Sequence, residues 1–456
     1  GITVDASLTR FSKLEKRHEV DPTTYFQEKS PDTQPWNPFR CELGAGAREQ
    51  AWYGHLAMEL LAAPGMKIDE KAYTHAYLRA IVAHEMGHIL GLFHNFAGST
   101  QFDLEELKDP KHTRTRGVIA SVMDYVPFNI AAIKQKDADY WTTTIGPYDM
   151  WAVEYGYSEI PGEKPEDELP KLKAIASRCN EPGHTFHNDL EVDQFDPLIA
   201  RFDLGKDPLS YFGRRLQVTR HLLFNLSPRL PRKGESYWEF TRAFNGLIND
   251  YAFSASVASR YVGGLHLNNN FRGDKGEKPT LVPVSGDKQR EALRLLNTYI
   301  FAENAFAFPA EYYKKLAANP FPSMSGFSST SRDFPVQNQF ASIQASALRR
   351  ILGAATLRRV VNNEFKTIDA ERPLTLPELF EEVSASVWSE LSAKRSIPAL
   401  RRQLQRTHLD LLIDMVVSPG NGTPDDARAI GWDQLRQLKA KMMTARQRPG
   451  IDEYTR

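Results

Sequence analysis

The sequence predicts an α+β chain that is predominantly helical. Three observations carry this. Segments with apolar residues at helical spacing recur from Gly44 into the C-terminal third. Only one stretch, GITVDASL at residues 1–8, reads as a strand. And at 456 residues the chain exceeds what a single core serves and suits two or three domains.

Taken in order, residues 1–42 are polar and carry prolines. Gly44 to Leu61 (GAGAREQAWYGHLAMELL) reads as a helix, broken by Pro64 and Gly65. A second helix starts at Asp69 or Glu70 and keeps Tyr77, Ile81 and Ile89 on one apolar face until Gly91 ends it. A loop with Pro110 and Gly117 follows, then a turn and an amphipathic helix in residues 137–157. Residues 158–210 are rich in Pro, Asp and Glu and read as a connecting loop. Beyond them the helical segments are 211–226, 286–306, 337–361, 376–392 and 397–417. The expected division is therefore 1–157, 158–210 as a connector, and a mainly α-helical region 211–456.

Composition excludes several partners. Lys plus Arg equals Asp plus Glu at 57 each, so no net field favours nucleic acid or an anionic membrane. No apolar run reaches membrane-spanning length. Cys41 and Cys179 lack CxxC spacing, and they are read either as a disulfide across a long loop or as two free thiols. The chain opens on GITVDASLTRF without an initiator Met or a signal segment, so it is expected to be processed or to be part of something longer.

The chemistry concentrates in AHEMGHILGLFHN, residues 83–95, which holds three of twelve histidines. His84 and His88 are four apart and share one helix face. Glu85 sits beside them, and Gly91 lets the chain turn sharply and return His94. Three neutral imidazoles leave a tetrahedral Zn2+ one open position for a water whose pKa falls toward ~7, and Glu85 can take its proton. Because the rings must be neutral to ligate, zinc occupancy is expected to fall as pH drops below ~6.5. A helix that only packs has no reason to place Gly91 and His94 at those offsets.

SVMDY, Ser121–Tyr125, lies downstream of this motif. HExxHxxGxxHN followed by a Met-containing turn resembles the metzincin clan of zinc metallopeptidases, and is most similar to a bacterial zinc-dependent metalloprotease family once catalogued as a domain of unknown function. The match is best over residues 44–157, and YDMWAVEYGY and RYVGGLH extend a looser similarity toward residue 300. The resemblance implies a zincin-like catalytic region beside the helical C-terminal region. It implies His84, His88 and His94 as zinc ligands, Glu85 as general base and Met123 as the apolar floor. Tyr125 would bind the ion at rest or donate to the oxyanion. Asn95 and Asp124 are read as turn or ligand-orienting residues.

Metzincins usually build a sheet before the zinc helix, and this sequence has room there for one strand or two. A reduced sheet, or one completed by an N-terminal segment or chain of the same precursor, is expected. The implied activity is endopeptidase action on a peptide or protein substrate, in an exported protein. Two alternatives stand beside it: a binding or scaffold protein that keeps a structural zinc, and hydrolysis of a non-peptide amide.

Three further stretches are read as structural. The acidic run GHTFHNDLEVDQFD (His184, His187, Asp189, Asp193, Asp196) lacks EF-hand spacing, so a solvated loop is expected rather than a calcium site. The arginine-bearing helices are read as solvated faces. Gly263 and Gly264, just before His266, are read as a tight turn.

Overall fold

The computed structural model describes residues 43–61, 68–135, 137–317, 333–368, 372–393, 396–447 and 452–455. GITVDASL and Cys41 lie outside them. Among the described residues the chain is helical with one small sheet, the predominantly helical α+β class expected. It forms two compact units. One takes its described residues from Glu28–Asn225 and Leu267–Leu281, the other from Leu226–His266 and Val282–Arg456.

The first unit contains α1 (Leu43–Leu61), α2 (Glu70–Ile89), α3 (Pro110–Arg116), α4 (Pro147–Tyr157), α5 (Pro165–Ala176) and α6 (Pro208–Phe224). Helices α1 and α2 match the sequence reading. Asp69 caps α2 by accepting from the Ala72 amide at 2.9 Å, which satisfies one of the helix's free donors. Tyr73 and Tyr77 set α2 against Trp141, with ring centroids 5.0 and 5.4 Å apart. The Tyr73 hydroxyl donates to the Ala51 carbonyl of α1 at 2.6 Å. Arg215 of α6 is buried, its guanidinium 4.2 Å over the Tyr53 ring and hydrogen-bonded to Tyr211 Oη at 2.9 Å.

Two helices differ from the loops expected. Both α3 and α5 begin with proline at N1, where no donor is needed. Asp109 caps α3 through the Lys111 amide at 2.9 Å, and Asp167 accepts the Glu163 and Lys164 amides at the start of α5. The same Pro and acidic residues that suggest loop by composition are helix starters by position.

The second unit holds α7 (Tyr237–Arg260), α8 (Gly286–Leu296), α9 (Ala310–Lys315), α10 (Val336–Ile351), α11 (Ala354–Glu364), α12 (Leu376–Val387), α13 (Ala399–Val417) and α14 (Asp425–Arg446). The segment 337–361 is two helices, α10 and α11, which meet at Leu352–Gly353. Helix α7, absent from the sequence reading, is buried along most of its length. Two of its serines return their hydroxyls to its own carbonyls, Ser256 Oγ to Phe253 O at 2.8 Å and Ser259 Oγ to Ser256 O at 2.6 Å, so these residues that suggest a loop are satisfied inside a core helix. Phe240, Phe244, Phe306, Phe308 and Phe340 form an aromatic core. Gly263 and Gly264 turn the chain from α7 into the strand β1 (Leu265–Leu267), which pairs antiparallel with β2 (Leu281–Pro283).

His408 of α13 gives this unit a pH dependence. Its Nδ1 accepts from the Trp388 indole N–H at 3.0 Å, and an indole can only donate, so the ring is the neutral Nε2–H tautomer. Burial lowers its pKa from 6.5 to about 4. The unfolded state therefore binds a proton between those values that the folded state does not, and stability falls as pH drops from 6.5 toward 4. At 1.36 kcal/mol per unit the loss is about 3 kcal/mol. Denaturant unfolding at pH 7 and pH 4.5 should show His408→Gln losing less stability on acidification than the parent by roughly that amount; equal losses would reject this assignment.

Candidate metal centre

Helix α2 presents His84 and His88 on one face. Past it, the Gly91 amide donates to His88 O and the Leu92 amide to Gly87 O, each at 3.0 Å, which is a Schellman ending. Gly91 sits at φ +85, where a side chain would be strained although nothing lies within 4 Å of its Cβ position. The residue is needed for the turn alone, and the turn returns His94.

The three rings are oriented by their Nδ1 atoms. His84 Nδ1 meets the Val122 carbonyl at 2.7 Å, His88 Nδ1 the Leu92 carbonyl at 3.0 Å, and His94 Nδ1 the Asp189 carboxylate at 2.8 Å. A carbonyl only accepts, so Nδ1 of His84 and of His88 carries the proton and the lone pair of each neutral ring lies on Nε2. The three candidate ligand nitrogens lie within 4.8 Å of one another, with His88 Nε2 and His94 Nε2 at 3.2 Å. Ligand nitrogens 2.0–2.1 Å from a tetrahedral ion are about 3.3 Å apart. Burial, then the neighbouring histidines, lower His84 to about 3; burial also lowers His88. His84 and His88 thus stay neutral, the form in which an imidazole can ligate a metal ion. Among the described residues this is the one group of three His, Cys, Asp or Glu residues that could hold a metal ion. Glu85 is half-exposed, and its charge acts on His88 in the opposite sense to burial.

Beneath the rings runs Ser121–Tyr125. Met123 is fully buried, and a Cβ on Gly87 would sit 2.2 Å from its sulfur, so glycine between the two helical histidines is what admits the Met. Asp149 of α4 holds this turn: its carboxylate accepts from Ser121 Oγ at 2.7 Å, the Val122 amide at 2.9 Å and the Gly146 amide at 2.8 Å. That fixes Val122, whose carbonyl orients His84. Asp124 is fully buried and accepts the Ser99 amide at 2.8 Å and the Tyr125 amide at 2.7 Å. Burial pushes its carboxyl and that of nearby Asp203 upward. Tyr125 lies with its hydroxyl 3.4 Å from His94 Nε2, walled by Phe96 and Phe202, and with Arg201 over its ring at 5.8 Å.

Asn95 has a larger part than a turn residue. Its side chain is buried, donates to the Thr185 carbonyl at 2.9 Å and accepts the His187 amide at 3.1 Å, while the Phe96 amide donates to His187 O at 2.8 Å. This docks residues 185–189 beside His94. The solvated acidic loop expected from the sequence is thus corrected. His187, Asp193 and Asp196 are buried, and the carboxylates are engaged: Asp189 by His94, Glu191 by His187 and Asn269, Asp193 by Arg201, Asp196 by the Leu198 and Leu267 amides. His184 stacks on Trp151 at 4.7 Å, away from the triad's contacts. Cys179 forms no disulfide among the described residues and lies 3.8 Å from Asp274. Asp189 and Asp149 were missed as site residues. Asp149 had a signal, an acidic residue two after Pro147 at a helix start, but the site partners it holds, Val122 and Ser121, lie 27 and 28 residues away.

No curated protein and no solved structure matched the chain. A family model described as Met-zincin matches residues 67–395. That span takes in α2 with its three histidines, the Met123 turn packed under Gly87 and the Asp189 segment; with a family match over most of its length, the chain belongs to the Met-zincin family, whose fold is metalloprotease-like.

Proposed function

We propose that the protein is a zinc-dependent endopeptidase in which His84, His88 and His94 hold the metal through Nε2. The observation that carries this is the set of three Nδ1 atoms tied outward, which leaves the opposite nitrogens facing one another. Zinc held there supplies a Lewis acid for the scissile carbonyl and lowers the pKa of a water toward ~7. Glu85, adjacent to His84 and open to solvent, takes the proton from the attacking water and passes it to the leaving amine. Tyr125 donates its hydroxyl to the oxyanion; its position beside His94 Nε2 supports this. Met123 packs beneath the rings and takes no part in proton transfer. The substrate is a peptide or protein, with no nucleic-acid partner, and no described helix is long and apolar enough to cross a membrane.

Stripping metal with a strong chelator should abolish cleavage of an unfolded protein, and one equivalent of Zn2+ per chain should restore it. Full activity in verified metal-free protein would end this reading.

A further inference from the structure

Asp189 stands apart from the other groups that orient the triad. Val122 O and Leu92 O are neutral backbone carbonyls, whereas Asp189 brings a carboxylate to His94 at 2.8 Å across 95 residues of sequence. His94 lies off the helix, beyond Gly91, so α2 does not set its ring. Asp189 is itself placed by a docked turn. Asn95 holds Thr185 and His187, the Leu190 amide caps on Asn188 Oδ1 at 2.9 Å, and Glu191 accepts from the Asn188 amide and His187 Nδ1.

We infer that Asp189 is a positioning residue that makes metal loading and docking of residues 185–191 one coupled event. This deepens the zinc reading above and rests on it. The carboxylate holds His94 with Nε2 toward its partners and adds a negative charge that strengthens this nitrogen as a donor. A metal on His94 polarises the ring and strengthens its Nδ1–H···Oδ2 bond, which tightens the turn that carries Asp189. Removing the metal loosens that turn.

The test is zinc affinity by chelator competition in wild type, Asp189→Asn and Asp189→Ala, with hydrogen exchange of wild type with and without Zn2+. Loss of the charge alone in Asp189→Asn should weaken zinc about 10-fold, and Asp189→Ala toward ~100-fold. The melting temperature of metal-free Asp189→Asn should match that of wild type. Zinc should slow exchange of the Phe96, His187 and Asn188 amides in wild type. Affinities in both variants equal to wild type, or exchange at these amides that ignores zinc, overturn the inference alone. Wild-type protein that takes up no zinc overturns the metal reading and this inference with it.

Discussion

Glu85→Gln is expected to lower cleavage of an unfolded protein substrate by about 10²–10⁴-fold, the range that a positioned general base contributes, while zinc stays at one per chain. Glutamine keeps the length and one acceptor oxygen but cannot take a proton. The contacts that orient the rings run through Val122, Leu92 and Asp189, so the substitution leaves them in place. Activity and metal content must be measured on the same preparation. Lost zinc would mean that Glu85 supports the centre rather than the proton transfer. Wild-type turnover in the variant would remove it as the base. Zinc-loaded wild type that cleaves no unfolded protein would favour a scaffold with a structural metal.

The second large effect is expected in the helical unit. Arg401 and Glu390 pair with side chains 2% and 1% exposed, and the guanidinium also donates to the carbonyls of Phe301, Ser386 and Val387. Arg401→Met fills similar space but leaves the buried Glu390 carboxylate without its cation, with the Gln405 amide as a remaining donor, and takes a donor from three carbonyls. Removing one partner of a buried pair costs about 3–5 kcal/mol, visible in denaturant unfolding. Arg401→Met with Glu390→Leu should recover much of that loss, because no charge is left behind. A single variant within about 1 kcal/mol of wild type would show that water or relaxation compensates the carboxylate.

The site was legible where its logic is local. His84 and His88 follow from helical spacing, the Gly91 turn from a backbone angle that glycine accepts, and the Asp69 cap and the extent of α2 from ordinary helix signals. The fold was less evenly legible. Helix α7 is buried all round over Ser254–Arg260, where no solvated face marks its period, and α5 starts with the residues that also make loops. In both cases position and burial, rather than residue type, settled the conformation.

Residue order alone was enough to bring three histidines and a glutamate together, because each lies within one helix and the turn that ends it. It could not reveal which way the His84 and His94 rings face. That depends on Val122, held by Asp149, and on Asp189, held through Asn95. These partners meet across 27 to 95 residues, where chain periodicity carries no information. An imidazole can present either nitrogen, and the acceptor that captures Nδ1 makes the choice. For His84 and His94 those acceptors are fixed only when separate segments pack, whereas His88 uses Leu92 O, four residues on.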